Sequence, residues 1–127
     1  MINKTGIDMS LGDVIDRVSI LSRKIYFGEE GAYKEFAYLT EGVDGIGLKL
    51  NGAILACIIR ITQFNIEIWN LENEIRNDTE NAMSNDEVGR RAKLIRDINK
   101  KRVEQKNEIN RLTGAGFREF KIKHRSQ

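Results

Sequence analysis

Asn65, Trp69, Glu72 and Arg76 follow one another at steps of four, three and four, which places all four on one face of a helix. Asn99, Arg102, Lys106 and Asn110 repeat the pattern at three, four and four. Upstream, Asp13, Asp16, Arg17 and Lys24 supply candidate partners of both signs. Amide, indole, carboxylate and guanidinium groups on a partly buried face must find partners or cost several kcal/mol. Two arrangements meet that demand. In one, the side chains close into a satisfied network that fixes helix register. In the other they line a cavity, where Arg76, Arg102 and Lys106 hold an anionic ligand, Trp69 stacks on a ring and Asn65 sets its orientation. The network stands first, because ligand cavities are few per protein.

Other chemistries lack their residues. His124 is the only histidine, so a histidine-based triad and a multi-histidine zinc site are both excluded. Cys57 is the only cysteine, which excludes an internal disulfide and a multi-thiolate metal site. It lies among Ala53, Ile54, Ile58 and Ile61 and reads as a small core residue. Gly42, Gly45 and Gly47 before Lys49 lack the Gly-Lys-Ser/Thr ending of a P-loop and read as a turn. Glu67, Glu72, Glu74 and Asp78 are dense, but steps of five, two and four do not put three carboxylates on one face. No catalytic residue, metal ligand set or cofactor is assigned.

The elements that position these groups are helical. Ser10-Leu-Gly-Asp13 is a capping box, followed by Leu11, Val14, Ile15, Val18, Leu21 and Ile25 at helical spacing, with Gly28 as the stop. Residues 29–40, with Tyr33, Phe36, Ala37 and Leu39, predict a short second helix, and 42–47 a flexible glycine connector. Ile54, Ile58, Ile61, Ile68 and Ile75 stripe a long third helix from Leu50 to Asn77, roughly 40 Å in length. Ser84-Asn-Asp-Glu87 caps a fourth helix ending at Gly114. The fold expected is an all-α bundle on a long antiparallel hairpin, with the N-terminal helix packed on it, forming one domain over 1–127. The segment 114–127 is a basic tail that either docks or frays. A first helix of about eighteen residues cannot cover such a hairpin, so an apolar remainder is left for self-association, with a dimer expected.

Composition narrows the class. The 127 residues are 40% hydrophobic and 31% charged with a net charge of +2, which suits a folded domain and excludes a polyelectrolyte. Charge is sorted, however: residues 1–88 carry 8 Lys and Arg against 15 Asp and Glu, while 89–127 carry 13 against 4. The basic third, with Phe117 and Phe120 among its cations, raises nucleic-acid binding as an alternative. The start of the chain has no secretory h-region, and the apolar run from Ala53 to Ile59 is too short to span a bilayer. A cytoplasmic protein with no membrane partner is expected.

The blocks Ser10-Leu-Gly12-Asp-Val-Ile-Asp16 through Lys24, Asn65-Trp69-Glu72-Arg76 and Asn99-Arg102-Lys106-Asn110 resemble the signature of a small bacterial all-helical family of unknown function. A second uncharacterised helical family has a similar Asn, Trp, Glu, Arg helix. The resemblance implies a cytoplasmic helical protein, sometimes encoded near surface-sugar biosynthesis genes, with no established activity. The glycine connector and the basic tail depart from the pattern. From these residues a non-enzymatic binding or adaptor protein is expected, with a nucleotide or sugar phosphate as its anionic ligand. The alternatives are an all-helical metal-dependent nucleotide hydrolase and a nucleic-acid binder.

Overall fold

The computed structural model describes residues 9–77 and 83–114. They form four helices in chain order: α1 (Leu11–Tyr26), α2 (Ala32–Asp44), α3 (Gly52–Arg76) and α4 (Asn85–Thr113). Three N-termini are set by side-chain caps, each satisfying an amide that the helix leaves without a partner. Ser10 Oγ accepts from the Asp13 amide at 3.1 Å, Asn51 Oδ1 from Ile54 at 2.9 Å and Ser84 Oγ from Glu87 at 3.1 Å. At the other end of α4, Gly114 takes the left-handed conformation at φ 65°, where a β-carbon would be strained.

α3 and α4 form the antiparallel hairpin, and α1 packs against both of them and against α2. Leu11, Val14 and Leu21 of α1 meet Leu39 of α2, Cys57 and Ile61 of α3 and Ile109 of α4 in one core, all with 2% exposure or less. Burial pushes the Cys57 thiol pKa up, so it is a packing group. Of the α4 apolar stripe Ile109 is fully buried and Val88, Ile95, Ile98 and Leu112 are half-buried, and the polar contacts described below add to them.

Two boundaries differ from the sequence reading. α2 begins three residues late and continues through Gly42 to Asp44, where the sequence predicts a connector. A glycine inside a helix costs only about 1 kcal/mol, and Val43 one residue on packs against the core. α3 begins at Gly52, because Asn51 caps it. The tail beyond Gly114 lies outside the described residues.

α2 packs on α1 alone and makes no helix packing with α3 or α4. A cleft therefore runs between α2 and α3 with α1 as its floor. Among the described residues α3 is also the helix long and apolar enough to cross a membrane by length and composition, although its inward face is anchored by Asn65.

Candidate functional site

The polar residues of α1, α3 and α4 meet where the three helices cross. Asp16 and Asn65 are buried, at 6% and 9% exposure. Asn65 Nδ2 donates to Asp16 Oδ1 at 3.0 Å and to Ser19 Oγ at 3.1 Å, while its Oδ1 accepts from Arg102 Nη1 at 2.9 Å. Arg102 Nε faces Asp16 Oδ1 at 3.6 Å, and Lys106 Nζ lies 2.9 Å from Asp13 and 3.7 Å from Asp16. The amide is thus the hub: it donates to α1 and accepts from α4, and its oxygen and nitrogen fix the two directions. Two carboxylates face two cations, so the cluster carries no net charge.

Its rim is equally determined. Asn110 Oδ1 accepts from the Gly12 amide at 2.8 Å, giving α1 a cap from α4 in addition to its own. Burial works to raise the pKa of Asp13, but Lys106 and the hydrogen bonds from Ser10 prevail and hold its carboxyl below the usual range. Arg17 leaves the cluster and pairs with Glu35 of α2 through two bonds of 2.8 Å. Lys24 is half-buried and makes no ion pair among the described residues.

The expected ligand face divides. Asn65, Arg102 and Lys106 are brought together, but the carboxylates of Asp13 and Asp16 already neutralise both cations. Trp69 is half-buried, and its ring is already stacked on Phe27, 5.7 Å between centroids and 8° from parallel. Glu72, Arg76 and Asn99 are exposed and stand outside the network. The reason is length: α1 has 16 residues against the 25 of α3, so Glu72 and Arg76 lie beyond its reach. Arg76 turns instead to Asn73 of its own helix. Glu74 pairs with Arg91 across the hairpin. Among the described residues no three His, Cys, Asp or Glu side chains converge as a metal site would require. On α4, Arg90 and Arg111 pair with Glu87 and Glu108, while Lys93, Arg96, Lys100 and Lys101 are exposed and make no ion pair among the described residues.

A cavity of about 250 Å³ opens directly beside the hub. Ser19, Ser22, Arg23 and Tyr26 of α1 and Thr62, Asn65 and Ile66 of α3 line it. The Ser22 hydroxyl donates to Ser19 O at 2.8 Å and the Thr62 hydroxyl to Ile58 O at 2.9 Å, so both present only lone pairs. Arg23 carries its guanidinium over the Phe27 ring at 5.1 Å, and its Nε is buried with no hydrogen-bond partner. Sequence reasoning missed Arg23 and Ser19. The signal was present: Asp16, Ser19 and Arg23 are spaced at three and four, on the face that meets Asn65.

Comparison with protein-family models, with curated proteins and with solved structures finds no match to this chain, so its reading rests on the geometry above.

Proposed function

We propose that this chain is a non-enzymatic binding protein for a small phosphorylated polyol, of the sugar phosphate class, seated in the cavity between α1 and α3. The observation that carries the reading is Arg23, whose buried Nε has no hydrogen-bond partner among the described residues, in the lining of a cavity where the Ser22 and Thr62 hydroxyls are left as acceptors. A buried N–H without an acceptor costs about 1–3 kcal/mol, and an anionic oxygen would remove that cost. Ser22 and Thr62 in turn call for ligand hydroxyls as donors. A cavity of about 250 Å³ suits a single small sugar better than a whole nucleotide. The network centred on Asn65 serves this seat as a rigid wall.

The test is a thermal-shift series with a hexose phosphate, the unphosphorylated hexose, a nucleoside monophosphate and inorganic phosphate. At a hexose phosphate concentration of about 100 Kd the stabilisation is about 2.7 kcal/mol, a rise in Tm of several degrees. Arg23→Ala should abolish the shift and leave the helical signal unchanged. No shift with any probe, or an equal shift in Arg23→Ala, overturns the reading.

A further inference from the structure

Tyr26 closes α1 with 79% of its surface exposed, and it lines the same cavity as Arg23. A lone tyrosine on a surface calls for no explanation. This ring, however, is the open end of a built stack. Phe27 meets it at 5.2 Å and 87°, Trp69 lies nearly parallel to Phe27 at 5.7 Å, and the Arg23 guanidinium stands over the Phe27 ring at 5.1 Å. Edge-to-face and parallel contacts of this kind hold rings in a preferred attitude. The support reaches from the end of α1 to Trp69 on α3, the two helices that form the cavity walls. Tyr26 is thus steadied on one side and left uncovered at the cavity.

Arg23 and Tyr26 stand three residues apart on one face of the helix, with β-carbons separated by roughly 5–6 Å. That is comparable to the separation of a sugar ring from a phosphate it carries. The two side chains offer different chemistry to the two ends of such a molecule. Arg23 Nε, buried and without a hydrogen-bond partner among the described residues, calls for an anionic oxygen. Tyr26 presents an aromatic ring whose negative faces attract the C–H bonds that a pyranose displays on its own flat faces. The hydroxyls of Ser22 and Thr62 remain as acceptors for the rim of the sugar, where its O–H donors project. An open-chain polyol phosphate meets the arginine and the two hydroxyls as well as a pyranose does. It has no flat apolar face, however, and loses more torsional freedom on binding. Resting on the reading of this cavity as a sugar phosphate seat, we infer that Tyr26 is its stacking platform and selects the ring-closed pyranose over open-chain polyol phosphates.

Isothermal titration calorimetry on the full chain, with a glucose phosphate and the matching sorbitol phosphate as probes, tests this. The wild type should bind the glucose phosphate about five- to tenfold more tightly, the worth of one stacked ring. Tyr26→Ala should lose that preference while keeping the wild-type affinity for the sorbitol phosphate. Tyr26→Phe, which retains the ring, should keep the preference. Both changes fall on an exposed side chain, so the far-UV spectrum should not move. Equal binding of the two probes by the wild type, a preference that survives Tyr26→Ala, or one that is lost in Tyr26→Phe would each overturn the inference. The sugar phosphate reading itself would still stand in those cases if Arg23→Ala abolished binding. Binding of neither probe overturns that reading, and the role of Tyr26 falls with it.

Discussion

Gly12 of α1 rests against the main chain of Lys106 in α4, so close that a β-carbon built on it would lie 3.1 Å from the Lys106 Cα and nearer still to its carbonyl oxygen. Helix propensity alone favours alanine over glycine by about 1 kcal/mol. The clash is with backbone, which cannot rotate away, so Gly12→Ala should destabilise by a net 1–3 kcal/mol or about that. Urea denaturation monitored by far-UV dichroism measures it, and a neutral or stabilised variant would show that α1 and α4 do not cross so tightly.

Removing Asp16 leaves Arg102 and Lys106 facing a partly buried amide with one carboxylate between them. Asp16→Ala should cost about 3–5 kcal/mol, the range for a broken buried pair. Replacing Asp16, Asn65 and Arg102 together by Leu should cost far less than the single change, since no polar group is then stranded. A loss in Asp16→Ala below about 1 kcal/mol would mean that water already reaches the hub.

Asp13 sets an acid limit. Its folded pKa lies below 3.8, so its contribution is fully present above that value and is lost as pH falls through the lower, folded pKa. Denaturant midpoints followed from pH 5 toward pH 2, about the interval over which such a carboxylate protonates, should therefore fall. Lys106→Met should flatten this fall, because Lys106 is one of the two partners that hold the carboxylate down. An equally steep fall in Lys106→Met would assign the acid sensitivity to other groups.

Trp69 is the only tryptophan, and Phe27 stacks on it. Phe27→Ala should shift the indole emission to the red by admitting water to that face. The loss in stability should stay near 1 kcal/mol, about the worth of an aromatic pair on a half-exposed site. Unchanged emission would mean that the rings are not stacked in solution.

The helices were legible because caps and spacing are local. Ser10, Ser84 and Gly114 act where their types predict, and the isoleucine stripe turns its Ile54 and Ile61 members into the core. The polar face was legible only in part. Spacing shows that Asn65 and Arg76 share a side of α3, but it does not show where the covering helix ends. That end, at Tyr26, separates a buried amide from an exposed guanidinium. Phe27 escaped notice because it sits at a helix end, outside any periodic pattern, and its partner Trp69 is 42 residues away. Arg23 was hidden differently, since its spacing says nothing of whether its Nε finds a partner once buried.

α1 is the one helix that α2 packs against, with Ala32 and Leu39 buried and the Arg17–Glu35 fork as its polar clasp. The local stability of α2 therefore depends mainly on its contact with α1. Its amides should exchange with deuterium well before those of α1, α3 and α4, through an excursion that leaves the other three assembled. An opening of that kind would widen the cleft while the polar hub, built from α1, α3 and α4, kept every one of its contacts.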